Sequence, residues 1–159
     1  MKKILIALDY NPTAEKVANV GYELGKSMDA EVILLHVITD AIYYSQTDYS
    51  PIMGYSGYFD LEPVKFDTNE ELKKVAQRFL DNFKHHLGND SLQTVVEEGD
   101  FADAILTVAK DYKVDIIAIG SHSHRWLEAI LMGSVAEKVL HHSPIPIFII
   151  PTGQKKQRK

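Results

Sequence analysis

Four stretches of the chain are almost continuously apolar yet only strand-length: Ile4–Leu8, Val32–Val37, Val114–Ile119 and Ile145–Ile150. A strand that is apolar on both of its faces must be covered on both, which is the condition of strands inside a parallel sheet flanked by helices. A fifth strand fits Leu92–Glu97. Between the strands the period changes from two to 3.6. Asn11-Pro12 reads as an N-cap followed by proline in the first turn, and Ala14, Val17, Ala18, Gly21, Leu24, Gly25 and Met28 then recur at helical spacing. Thr68 and Glu71 form a capping box ahead of the stripe Leu72, Val75, Ala76, Phe79, Leu80, Phe83 and Leu87, which ends at Gly88. Asp100 is placed to cap a helix carrying Ala102, Ile105, Leu106 and Ala109, and a second box, Ser134 with Glu137, opens a helix through His141. Alternating strands and helices of this kind predict an α/β domain: an open five-stranded parallel sheet with right-handed crossovers and helices on both faces.

Two segments fall outside that rhythm. Residues 40–67 are rich in tyrosine (Tyr43, Tyr44, Tyr49, Tyr55 and Tyr58) and are punctuated by Pro51, Gly54, Gly57 and Pro63. A connection of that length is uncommon in a compact domain. Packing of this loop against its own domain is the simplest expectation. Residues 153–159 form a short basic end expected to be disordered, with Lys155, Lys156, Arg158 and Lys159 and no acid. Removing its four charges takes the net charge from −5 to −9 for the rest of the chain. A body so acidic repels a phosphate backbone, so nucleic acid is disfavoured as a partner. With no cysteine in the chain, disulfides, thiolate metal sites and cysteine nucleophiles are excluded. No apolar run reaches the roughly 20 residues of a membrane span. The opening run stops at Asp9, short of the roughly 7–15 apolar residues of a signal peptide, and a cytoplasmic protein is the expectation.

In an open parallel sheet, ligands bind beyond the carboxyl ends of the strands, where the strand order reverses. Two strand ends there carry chemistry. Asp9 closes the first strand, and Gly120-Ser121-His122-Ser123 closes the fourth; Gly133-Ser134 then begins the last helix. A helix N-terminus offers free N–H groups and partial positive charge to an anion. Gly120 and Gly133 permit close backbone approach, while Ser121, Ser123 and Ser134 add hydroxyl donors. Asp9 can accept from ribose hydroxyls or help hold a divalent ion. These are the parts of a nucleotide site, although Gly120 serves equally to end a strand and Ser134 to cap a helix. His122 and His124 sit in the same loop within reach of phosphate or a bound ion, and Arg125 can extend to a γ-phosphate; Trp126 reads as packing. The chain has no G-x-x-x-x-G-K-[ST] for a P-loop, no G-x-G-x-x-G after the first strand and no G-x-S-x-G elbow.

Ile119-Gly120-Ser121-His122-Ser123, nine residues, then Gly133-Ser134-Val135-Ala136 resembles the phosphate-binding signature of the universal stress protein family. Lys3 to Asp9, Leu34-Leu35-His36-Val37, Gly99-Asp100 and Pro144–Pro151 are similar to the same family. The resemblance spans residues 1–152 as one domain, apart from the variable loop at 40–67. It implies a Rossmann-like fold of the adenine nucleotide alpha hydrolase type and a small, often dimeric cytoplasmic stress-response protein whose ATP-binding branch holds ATP, or ADP or AMP, with Mg2+. In that branch Asp9 meets the ribose or the metal, Val37 contacts adenine through its backbone with Ala7 near it, and Gly120, Gly133 and Ser134 hold the phosphates with Val135 beside them. One position departs from the pattern: Ser123 stands where the family has its second glycine. A side chain there either crowds the phosphates or donates to them.

The remaining histidines have plainer readings. His85-His86 and His141-His142 close helices, where a cationic side chain suits the dipole, and His36 within an apolar strand reads as a satisfied core histidine. The last strand, apolar and bounded by Pro144 and Pro146, suits a sheet edge, and pairing of Ile145–Ile150 across a two-fold axis in a homodimer would protect it. The expected function is therefore a nucleotide-responsive binding protein with a further, unidentified protein partner. Its rivals are an interaction protein of the same fold with an empty pocket, and a slow ATPase. No general base stands beside the signature unless His122 or His124 serves, so little or no turnover is expected.

Overall fold

The computed structural model describes residues 1–38, 69–121 and 133–152. The expectations for the loop at 40–67, the Thr68 cap, residues His122 to Met132 and the basic end lie outside them. The strands are β1 (Lys3–Ala7), β2 (Glu31–Ile38), β3 (Gln93–Glu98), β4 (Ile116–Gly120) and β5 (Ile147–Ile150). The helices are α1 (Ala14–Ser27), α2 (Asn69–His86), α3 (Phe101–Asp111) and α4 (Ser134–His142). All pairings are parallel, in the order β3-β2-β1-β4-β5. The chain thus walks outward from β1 to β3, returns to the other side of β1 at β4, and ends on the edge at β5. With one crossover hand, that reversal must put α1 and α2 on one face and α3 and α4 on the other.

The core divides accordingly. Ile4, Ile6 and Leu8 face α1 and α2 together with Val32, Leu34, Phe79 and Phe83, whereas Leu5, Ile33, Leu35, Ile117 and Ile119 face α3 and α4 with Ile105, Val108 and Val139. Alternate residues of one strand serve opposite cores, as its period of two requires. The first face is bulky and aromatic; the second is covered largely by small side chains, Ala102, Ala104, Ala109 and Ala136 among them. Helix α1 lies close against the sheet because Gly21 has no side chain: a Cβ there would stand 2.8 Å from Ile6 Cδ1.

Two helix starts differ from the sequence reading. Asn11 does not begin α1. Its carboxamide oxygen accepts from the Thr13 N–H (3.0 Å) and hydroxyl (2.8 Å), folding residues 11–13 into a turn, so that the helix starts at Ala14. Ser134 is the first residue of α4 and not its cap; Gly133 holds that position and has no side chain to give, so the box with Glu137 does not form. Helix α2 starts at Asn69. Asp100 does cap α3, accepting from the Asp103 N–H at 3.0 Å. Strand β5 begins at Ile147, after Pro146, and lies at the sheet edge.

Candidate functional site

The reversal of strand order falls between β1 and β4, and the polypeptide leaves both strands on the same side of the sheet because the two are parallel. At the β1 exit, Leu8 continues the ladder by donating its N–H to the Leu35 carbonyl (2.8 Å), and its own carbonyl accepts from His36 Nδ1 (2.6 Å). Asp9 follows. Its Oδ1 accepts from the Asn11 N–H at 3.1 Å within the turn that leads into α1. The carboxyl is half-buried, and burial raises its pKa from 3.8 to about 6 against the opposing effect of the backbone N–H groups of Asn11 and Asp9 itself. A carboxyl so placed gains from any ligand that offers hydroxyl donors or positive charge.

At the β4 exit the organisation is different. Gly120 pairs with Ile150, and a Cβ on it would meet Val17 Cγ2 at 3.0 Å and Thr152 Cγ2 at 3.1 Å. The space glycine leaves is thus taken up by protein side chains from α1 and from the segment after β5. Ser121 donates its N–H to the Ile150 carbonyl (2.9 Å), its carbonyl accepts from the Gly133 N–H (2.6 Å), and its Oγ accepts from the Thr152 N–H (3.1 Å). The Gly133 bond draws the start of α4 to the end of β4. Gly133 carries no capping side chain, so the first-turn N–H groups of Ser134, Val135 and Ala136 lie where a helix concentrates its partial positive charge.

Of the residues singled out from sequence, Ala7 and Asp9 lie at the β1 exit, and Val37 is buried near the end of β2, one residue past His36. Gly120, Ser121, Gly133, Ser134 and Val135 lie along the β4 exit and the head of α4. His122, Ser123 and Arg125 lie outside the described residues. Three contacts carried no advance signal: the Asn11 N–H on the Asp9 carboxyl, the packing of buried Thr152 against Gly120, and His36 Nδ1 on the Leu8 carbonyl. His36 is buried as expected but only half satisfied, since Nε2 has no hydrogen-bond partner among the described residues. The paired histidines close α2 and α4 as read, and His142 Nδ1 bonds the Lys138 carbonyl at 3.1 Å. Among the described residues no group of three or more His, Asp or Glu side chains is placed to hold a metal ion, and no helix is long and apolar enough to cross a membrane.

Residues 1–151 match the profile of the universal stress protein family. The chain is 32% identical over 153 residues to universal stress protein MJ0577 of Methanocaldococcus jannaschii, covering 94% of each. The solved structure of MJ0577 aligns with a TM-score of 0.72 at 28% identity, over 97% of this chain and 98% of that one. Universal stress protein YxiE of Bacillus subtilis is 27% identical over 150 residues, covering 93% of this chain and 97% of the relative. A universal stress protein solved in complex with cAMP shares the fold, with a TM-score of 0.57 at 15% identity over 96% of this chain and 98% of that one. Sequence profile, relatives and architecture agree, and the chain belongs to the universal stress protein family.

Proposed function

We propose that this universal stress protein binds an adenine nucleotide, ATP with Mg2+ foremost, in the crevice between the β1 and β4 exits, and acts as a nucleotide-responsive binding protein. The observation that carries the reading is the pairing, at the point of strand reversal, of a half-buried carboxyl with a helix start that has no capping side chain. An acceptor for ribose hydroxyls or a metal thus stands beside donors for phosphate, the two ends a nucleotide needs. The donor set fits the group: amides of Ser134, Val135 and Ala136 with the Ser134 hydroxyl on the phosphate side, and Asp9 on the sugar and metal side. Val37 and Ala7 lie at the ends of β2 and β1, where the base would rest against the backbone. Ser121, already accepting from Thr152, keeps its O–H to donate; His122, Ser123 and Arg125 are the further phosphate-side residues that the sequence offers. That the fold accepts an adenine nucleotide is illustrated by the relative solved with cAMP.

Calorimetry with ATP, ADP and AMP, each with and without Mg2+, tests the reading, preceded by denaturation and chromatography to identify any nucleotide carried through purification. Micromolar binding to one of them is expected. Asp9→Ala abolishes it while circular dichroism and melting remain those of a folded protein. Unchanged affinity in that variant would refute the site. Absence of both binding and retained nucleotide would make Ser123 the mark of an empty pocket and leave an interaction protein. The edge position of β5 supports a homodimer paired through Ile145–Ile150, which sedimentation would report as twice the chain mass.

A further inference from the structure

His36 is a buried titratable group that the nucleotide reading leaves unused. It is 2% exposed and sits in an aromatic setting, with its ring centroid 4.1 Å from that of Tyr10 and 5.2 Å from that of Phe79. A carbonyl oxygen can only accept, so the bond to Leu8 assigns the hydrogen to Nδ1 and leaves Nε2 bare among the described residues. The carbonyl in question belongs to the peptide that joins Leu8 to Asp9. With the Leu8 N–H held by Leu35 as well, both polar groups of the residue before Asp9 are tied to β2. The plane of a peptide is rigid and runs to the next Cα, so fixing its oxygen fixes where the Asp9 Cα stands, while the bond from the Asn11 N–H holds the carboxyl.

We propose that His36 is a positioning residue for the candidate site: by donating from Nδ1 to the Leu8 carbonyl it sets the Leu8–Asp9 peptide plane, and so places the Asp9 Cα in register with Val37, where the Asn11 N–H can hold the carboxyl. The bond does what a further rung of the β1–β2 ladder would do, in a place where β1 has already turned towards α1. It also couples the two halves of a bound nucleotide, because the residue that grips β1 is the chain neighbour of the residue at the base end. The proposal rests on the nucleotide reading for its purpose but not for its geometry.

Its test therefore has a ligand-free arm. Long-range 1H–15N NMR of the wild-type protein should show His36 protonated at Nδ1 and bare at Nε2; the opposite tautomer overturns the proposal outright. His36→Leu removes the donor but keeps apolar bulk, and His36→Asn returns an N–H close to the place of Nδ1. Amide exchange at Asn11, whose N–H donates to Asp9, should be about tenfold faster in His36→Leu, with Ile6 at the centre of β1 as protected as before, and should slow again in His36→Asn. Affinity for ATP should fall about three- to tenfold in the first variant and recover in the second. Unchanged exchange at Asn11, exchange accelerated equally throughout β1, or no recovery in His36→Asn would each show that the ring merely packs. If His36→Leu does not fold, the wild-type tautomer and Asn11 exchange in His36→Asn decide the matter. Should the wild-type protein bind no nucleotide, the nucleotide reading falls, and the exchange measurements still judge His36.

Discussion

The β1 and β4 exits stand side by side and are built on different principles. The β1 exit is held by side chains that titrate: a histidine ring on the Leu8 carbonyl and a carboxyl on the Asn11 amide. The β4 exit is held by backbone amides and one hydroxyl, with Ser121 at the centre and Gly120 wedged between Val17 and Thr152. One exit therefore responds to protons and the other is fixed by shape. At the β1 exit the two responses oppose each other. Burial lowers the pKa of His36 from 6.5 to about 4, the bond to Leu8 opposing this, so the unfolded chain takes up its proton first and stability rises with pH between about 4 and 6.5. Burial raises Asp9 from 3.8 to about 6, so the folded chain takes up that proton first and stability falls with pH between about 3.8 and 6. Over the shared window the two slopes offset one another.

The contrast can be broken from either side. Gly120→Val forces methyl groups into space that Val17 and Thr152 occupy and should cost about 1–3 kcal/mol in urea unfolding, by the same amount at pH 5 and pH 7. Asp9→Asn keeps the acceptor for Asn11 but removes the buried charge. Allowing for the water that still reaches this side chain, the variant should be about 1–2 kcal/mol more stable than wild type at pH 7 and should gain stability as pH rises from about 4 to about 6, where wild type stays level. A wild-type curve with the steep slope of a single group across that window would show that one of the two does not titrate as described. Ser121→Ala removes the acceptor for the Thr152 N–H and should cost least, about 0.5–1.5 kcal/mol with no change in pH dependence. A pH-dependent loss there would erase the distinction between the exits.

The same contrast governs what the sequence makes legible. Ile4–Leu8 and Val32–Val37 announce themselves because apolar continuity is a local property, and five strands with helices on both faces follow from it. Asp9 and the Gly133-Ser134 step can be found because strand ends and helix starts are local too. Geometry made across the sheet is not. That Gly120 is filled by Val17 and Thr152 depends on residues 103 and 32 positions away along the chain. That His36 grips Leu8 depends on a register in which Ala7 pairs with Leu35. Asn11 shows a subtler limit: the sequence marks it as a capping residue, and it does bond two residues ahead, but to close a turn before the helix. The pattern specifies the hydrogen bond without specifying what it terminates.

The packing of Gly120 bears on what can be inferred from family membership. A descendant of this chain that had given up its ligand would still be under selection to keep Gly120, because folding alone disfavours a larger residue between Val17 and Thr152. Inheritance of that glycine therefore records the architecture of the sheet and not the history of its ligand. Among the described parts of the signature, the weight of diagnosis passes to the head of α4, where Gly133 supplies no side-chain cap and leaves the first-turn N–H groups to another acceptor.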